Sequence, residues 1–415
     1  MFNAARLLAA ISIALAVSAS PVVTIRDSLV HVPLSKHVNV TSGHALLASD
    51  RARAHKLHTT SRANTLKTTG RVNIANAGNV GVENQAIVYT ASVDVGIPAT
   101  SYDLIVDTGS SNTWVGAVNE YIPTNSSTFT GQLLYVEYGS GAVVGVEYTD
   151  VFSLGEGLTI QQQSIGSADY TQGIAPYDGI LGIGPLDLTI GSMTLNESAT
   201  VPTVPDNLAA QGSIPSEVIG IAFEPASSQS TSNGQLTFGG VDSSKFTGDI
   251  TYAPLTKTEP AAEYWGIDQS VAYGEKTILP LTAGIVDTGT TLLMLATDAF
   301  NNYTAATGAV LDGTTGLLTV TPTQFNNLES LFFTISGTKF ELTPNAQLWP
   351  RSLNSAIGGK DDEMYLIVGD IGHNSSQGLD FINGYAFLER FYSVFDTANS
   401  RVGFATTPFT DATTN

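Results

Sequence analysis

From residue 72 onward, Val, Ile, Thr, Tyr and Phe recur in short runs punctuated by Gly, Asn, Asp and Ser. Successive side chains of a strand point to opposite faces, so the alternation from Val88 to Val95 predicts a strand with one buried face. Helical signals are few. Asp206 to Gln211 predicts a helix opening at an Asp cap, and Ala296 to Thr304 predicts another. The pattern is that of an all-β protein with minor helices. It changes amid proline breaks near Thr247 to Pro254, which predicts two lobes, 72–250 and 251–415.

The opening residues read differently. Arg6 precedes an apolar stretch from Leu7 to Val17, and Ser18, Ala19 and Ser20 follow it, the layout of a cleavable secretory signal over residues 1–19. No later stretch has the roughly 18 apolar residues of a spanning helix. The expected product is secreted, with no membrane partner.

A search for internal repeats adds a second level of order. Leu104-Ile105-Val106-Asp107-Thr108-Gly109-Ser110-Ser111 is echoed by Gly284-Ile285-Val286-Asp287-Thr288-Gly289-Thr290-Thr291. A shorter echo trails each copy: Asp178-Gly179-Ile180-Leu181-Gly182 after the first, Phe381-Ile382-Asn383-Gly384 after the second. The chain reads as a duplication, two similar lobes about an approximate two-fold axis with the repeated loops meeting there.

Charge divides the chain. Residues 20–71 carry Arg26, Lys36, Arg51, Arg53, Lys56, Arg62, Lys67 and Arg71 against Asp27 and Asp50 only, a net charge of +6. The chain beyond residue 71 has eight Lys and Arg against 35 carboxylates, a net charge of −27. Five of six histidines (31, 37, 44, 55 and 58) also lie in the basic segment, leaving only His373 outside it. A basic arm can bind nucleic acid. Behind a secretory signal and fused to an acidic body, it reads instead as an intramolecular clamp, with no nucleic-acid partner. There is no cysteine, which excludes disulfides and thiolate metal sites. Sequons at Asn39, Asn125, Asn196, Asn302 and Asn374 are candidate glycan acceptors.

An apolar strand ending in Asp-Thr-Gly delivers a carboxylate from a dry sheet into a tight loop. Two such carboxylates a few ångströms apart cannot both ionise and share a proton instead, so one serves as base and the other as acid toward a bound water. No metal or cofactor is required. Ser110 and Thr290 can donate to the outer carboxylate oxygens, and Thr108 and Thr288 can pin the two loops together. One Asp-Thr-Gly arises by chance in roughly one chain in ten of this length. Two in matching contexts carry far more weight. A glycosidase also uses two carboxylates, but has no need of duplicated loops.

These residues carry a family resemblance. Asp107-Thr108-Gly109-Ser110-Ser111-Asn112-Thr113-Trp114-Val115 and Asp287-Thr288-Gly289-Thr290-Thr291 resemble the active-site loops of pepsin-family aspartic endopeptidases. Tyr138-Gly139-Ser140-Gly141 is similar to that family's flap tip, and Asp178 to Gly182 to its first ψ-loop. Gln235 to Asp242 resembles its inter-lobe strand, and Phe391 to Asp396 with Arg401 to Phe404 its C-terminal strands. The likeness runs from about Ile87 to Ala405, and the lack of cysteine together with Thr113 is most like the fungal polyporopepsin-type branch.

The resemblance implies a bilobal pepsin-like fold and a monomer acting on protein or peptide substrates, with preference for bulky apolar residues around the cleaved bond. It implies that Tyr138 closes over the substrate with its hydroxyl near the Trp114 indole nitrogen. The backbone of Gly139 and Ser140 would bind the peptide, and Gly109, Gly289 and Thr290 would complete the cleft. The chain's own basic segment would be an inhibitor released in acid. Two departures stand out: Gly384-Tyr385 replaces the common Gly-Asp, which removes an acidic neighbour of the pair, and Ile165 stands where the primary pocket often has a ring. A non-catalytic, peptide-binding relative would have lost an Asp or the flap Tyr, and all three are present.

Overall fold

A computed structural model describes residues 29–59, 86–139, 141–155, 157–225 and 228–414. The predicted signal at 1–19 and both ends of the basic segment, 20–28 and 60–71, lie outside them.

The described part of the basic segment, 29–59, is folded. It forms strand β1 (Val30–Asn39) and helix α1 (Gly43–Thr59). Next come β2 (Ala86–Val95), β3 (Thr100–Asp107), β4 (Trp114–Val115), β5 (Thr128–Tyr138), β6 (Gly141–Ser153), β7 (Thr159–Gln172) and β8 (Gly179–Gly182). Helix α2 (Val204–Ala210) precedes β9 (Val218–Ala222), β10 (Ser230–Phe238) and β11 (Thr247–Pro254). The second half gives β12 (Gly266–Tyr273), β13 (Lys276–Val286), β14 (Leu293–Leu295) and helix α3 (Thr297–Thr307), then β15 (Val310–Leu311), β16 (Leu318–Val320), β17 (Leu331–Ile335) and β18 (Thr338–Leu342). The chain closes with β19 (Met364–Tyr365), β20 (Val368–Asp370), β21 (Phe381–Asn383), β22 (Phe391–Asp396) and β23 (Arg401–Thr406). No described helix is long and apolar enough to cross a membrane.

The predicted duplication is visible in the topology. In the first half β3 runs parallel to β8, and β8 lies antiparallel to β4. In the second half β13 runs parallel to β21, and β21 antiparallel to β14. Each aspartate strand is therefore wedged against the strand made by its trailing echo. The sheets are unequal: thirteen strands in the order β11-β23-β22-β9-β10-β1-β2-β3-β8-β4-β7-β6-β5, and seven in the order β18-β17-β12-β13-β21-β14-β20. The large sheet draws its last strands, β22 and β23, from the end of the chain, so its middle bridges both halves of the sequence.

β1 occupies the centre of that bridge, antiparallel to β10 on one side and β2 on the other. Val30, Val32 and Leu34 alternate into the core, and Lys36 takes the next inward position fully buried. The alternation in β2 is seen from Ala91 to Val95, where Ser92 and Asp94 face out.

The predicted helices form with one correction. Asp206 does not cap α2: Thr203 is the cap, its hydroxyl accepting from the Asp206 N–H at 3.3 Å while the Asp206 carboxylate accepts from the Thr203 N–H at 2.8 Å. A carboxylate at the third helical position reaches back to complete a capping box, which frees Val204-Pro205 to begin the helix. α3 runs three residues past Thr304 and stops at Gly308, whose φ of 68° turns the chain out of the helix.

Candidate active site

The last residues of β3, Leu104 to Val106, are buried, as are Ile285 and Val286 of β13, so both aspartates emerge from a dry core. The threonines that follow lock the two loops together. The Thr108 N–H donates to Thr288 Oγ1 and the Thr288 N–H to Thr108 Oγ1, both at 3.0 Å. Each hydroxyl then donates across to the opposite strand, Thr108 to the Val286 carbonyl at 3.2 Å and Thr288 to the Val106 carbonyl at 2.9 Å. Four reciprocal hydrogen bonds in a buried site hold the carboxylates at fixed separation.

Both carboxylates are addressed in the same way. Ser110 Oγ donates to Asp107 Oδ2 at 2.5 Å and Thr290 Oγ1 to Asp287 Oδ2 at 2.6 Å. The N–H groups of Gly109 and Gly289 donate to the Oδ1 atoms at 2.9 and 3.0 Å. Outer oxygens are thus held by hydroxyls, and the inner Oδ1 atoms point toward each other.

A guanidinium from α1 fills the space between. Arg53 Nη2 donates to Asp107 Oδ1 at 2.6 Å and to Asp287 Oδ1 at 2.9 Å, and Nε to Asp287 Oδ2 at 2.7 Å. One nitrogen contacts both inner oxygens, which are therefore at most about 5.5 Å apart. Burial pushes both carboxyls up. At Asp287 the Arg53 charge and hydrogen bonds outweigh it and hold the carboxyl below its usual range. At Asp107 burial prevails over Arg53, with the Asp287 charge adding to it, and the carboxyl stays above. This asymmetry follows from the geometry, two bonds from Arg53 to Asp287 against one to Asp107.

One turn earlier, the buried Asp50 carboxylate accepts from the Thr291 and Leu292 N–H groups at 3.2 and 2.8 Å. Burial, with a contribution from the Asp287 charge, pushes its carboxyl up to about 7. α1 thus grips the second loop from two sides.

The Tyr138 hydroxyl lies where the resemblance implied. β5 and β6 form a hairpin in which Tyr138 pairs with Gly141, and Trp114 Nε1 donates to Tyr138 Oη at 2.8 Å. Ser140 falls outside the described residues. Gly139 lies so close to Ala52 and Arg53 that a Cβ there would collide with their backbone. Beside the aspartates a cavity of about 250 Å³ is bounded by Tyr138, Leu188, Ile190 and α1. Ile165 does not line it: that side chain is fully buried in the main core.

The sequence reads the basic segment as a clamp without assigning any of its residues to the aspartates, and neither Asp50 nor Glu389 is legible there. Lys36 Nζ pairs with Glu389 Oε1 at 2.8 Å and sits 5.1 Å from the Tyr385 ring centre. The Tyr385 hydroxyl donates to the same oxygen at 2.8 Å, and its N–H to the Thr290 carbonyl at 2.7 Å. At the position where the resemblance would place an acidic neighbour, Tyr385 instead turns its hydroxyl to Glu389, whose carboxylate serves Lys36. The available signal was Lys36 itself, a charge in register with Val30, Val32 and Leu34. Of the sequons, Asn125, Asn196, Asn302 and Asn374 are exposed, while Asn39 is half-buried at the end of β1.

Comparison with known proteins fits this geometry. A model of the eukaryotic aspartyl protease family matches residues 88–407. Polyporopepsin of Irpex lacteus is 58% identical over 340 residues, 82% of this chain and 100% of that one. Pepsin A of Sus scrofa is 30% identical, covering 76% of this chain and 80% of its own. The crystal structure of aspartic proteinase from Irpex lacteus superposes with a TM-score of 0.80 at 50% identity, covering 94% of this chain and 100% of that one. Two Asp-Thr-Gly loops locked at a two-fold axis, within a match this extensive, make the chain an aspartic endopeptidase of the pepsin family.

Proposed function

We propose that this endopeptidase is a secreted, acid-activated precursor: residues 20–71 keep it inactive, and Asp107 and Asp287 hydrolyse peptide bonds once that segment leaves. The observation that carries the reading is Arg53 Nη2, bonded to the inner oxygens of both aspartates, where a water would have to be held by both. A guanidinium there excludes that water and, being permanently charged, opposes the single proton the pair needs. Arg51–Asp370 and Lys56–Glu137 extend the clamp on either side of it. The match to the whole of polyporopepsin by 82% of this chain, and a family match beginning at residue 88, fit a catalytic part that follows the segment.

With the segment gone, two buried carboxylates so close together retain one proton between them. The ionised member takes a proton from the water as its oxygen adds to the scissile carbonyl, and the protonated member gives its proton to the carbonyl oxygen. The diol collapses when nitrogen takes up the proton first drawn from water, the C–N bond breaks, and one hydroxyl returns its proton to the pair. Tyr138, held by Trp114, covers the substrate. Gly139 and Ser140 meet the substrate backbone from the flap and Gly109, Gly289 and Thr290 from below, as an added strand. Leu188 and Ile190 beside the dyad favour bulky apolar side chains at the cleaved bond. The catalytic part divides into lobes at 72–250 and 251–415, works as a monomer, and carries glycans at exposed sequons.

Acid releases the clamp. As pH falls, imidazoles gain charge and then carboxylates lose it, so attraction between the acidic body and the basic segment falls and self-repulsion within the segment rises. The test is incubation with denatured haemoglobin, with and without a statine-type inhibitor. At neutral pH the precursor should stay full length and silent; in acid it should shorten, the cut falling around Lys67 to Glu83, and then digest. If a chain starting near Val72 is no more active at first exposure to acid than one starting at Ser20, inhibition by the segment is wrong.

A further inference from the structure

Resting on that reading, we infer that the cleft holds a subsite for a basic side chain, built around Glu137, one or two residues from the cleaved bond. Among the described residues, the cavity beside the aspartates is lined by three carboxylates, Glu137, Asp187 and Glu263, and by two basic residues, Arg53 and Lys56. Both of these belong to α1, the segment that departs. What remains is a groove next to the dyad with acidic residues on its walls and no cation among its described lining.

Acidic residues lining a groove are not a site by themselves, but this one already has a cationic occupant. Lys56 Nζ lies 2.7 Å from Glu137 Oε2, and Glu137 immediately precedes Tyr138 in β5. Lys56 therefore marks where an ammonium is received when chain fills the cleft. Its position also sets the subsite's distance from the reacting centre. Lys56 follows Arg53 by three helical residues, a rise of about 4.5 Å, which an extended peptide covers in one to two residues at about 3.3 Å each. The substrate class is thus a peptide with apolar residues at the bond and a basic residue close by on one side.

The test uses the mature enzyme and peptides sharing one apolar cleavage site, with Lys or its near-isosteric neutral counterpart Met placed in turn at the two flanking positions on each side. The assay runs in low salt at about pH 5, where exposed carboxylates are charged. The Glu137 side chain is half-exposed, so the pair is worth no more than other partly exposed ion pairs. Lys should raise kcat/KM over Met about three- to fivefold at one position. In Glu137→Gln that ratio should fall close to one, and about 1 M salt should compress it in the parent enzyme. No Lys preference at any position, or one that persists undiminished in Glu137→Gln, overturns the subsite. Failure to cleave the all-Met peptide would instead strike at the proposed function, so the two failures are separable.

Discussion

Replacing Arg53 with Met tests the clamp at its centre. Met keeps an unbranched apolar stem over the dyad, so cover is retained and only charge and donors are lost. Arg53 makes three charge-assisted hydrogen bonds at 2.6 to 2.9 Å to carboxylates at most 2% exposed. Removing one partner of a buried ion pair costs about 3–5 kcal/mol, because the other charge stays buried and unpaired. Here the two carboxylates can relieve themselves by sharing a proton, which puts the cost near the lower limit, about 3 kcal/mol at neutral pH. That is roughly a 150-fold shift from segment-docked toward segment-free. Docking should persist, because Lys36–Glu389, Arg51–Asp370 and the Asp50 contacts are untouched. The readout is the affinity of full-length precursor for a statine-type inhibitor, measured before any chain cleavage and with length checked by mass spectrometry. Arg53→Met should bind about 100-fold more tightly than the parent. An affinity within threefold of the parent, with an unchanged lag before self-conversion in acid, would refute the argument that the guanidinium blocks the dyad.

Asp107→Asn or Asp287→Asn removes a proton acceptor while keeping shape, so proteolysis should fall by at least about 100-fold with thermal stability retained; residual cleavage above about a hundredth in both variants would sink the dyad. Lys36→Met leaves Glu389 buried beside Tyr385 without its ammonium, and should weaken docking of β1 by about 3 kcal/mol and raise the pH midpoint of self-conversion. An unchanged midpoint and unchanged denaturant stability would count against it. His58 packs against His373 with ring centres 4.7 Å apart and planes tilted by 38°, Gln377 O bonded to its Nε2 and His55 and Asp380 nearby. Burial first, then His373, hold His58 below its ordinary value of 6.5. A depressed base stabilises the docked state fully above 6.5 and loses that contribution as pH falls from there through the depressed value. His58→Phe, which keeps the ring contact, should therefore need a lower pH to convert; conversion at the same or a higher pH removes His58 from the trigger.

The strand periodicity, the duplicated Asp-Thr-Gly loops, their trailing echoes and the division of charge were all legible in the chain, because each is local. Alternation along β2, the Thr and Gly of a tight loop and a hydroxyl three residues past each aspartate are set by neighbours in sequence. The helix after Thr203 was also within reach, although Asp206, read as its cap, is the third helical residue that closes the capping box on Thr203. What the sequence could not decide was which of eight basic residues sits on the dyad. The segment read as a charged arm, yet it folds as β1 and α1, and its identity as structure depends on partners far along the chain. Arg53 meets Asp287 across 234 residues, and Lys36 meets Glu389 across 353. A buried lysine is tolerated only where a distant carboxylate and an aromatic ring surround it, and an arginine finds two aspartates only after two lobes have closed around the groove that α1 fills. Local patterning specified the catalytic loops; only tertiary packing chose their occupant, because desolvated charges are placed by long-range partners that no window of sequence contains.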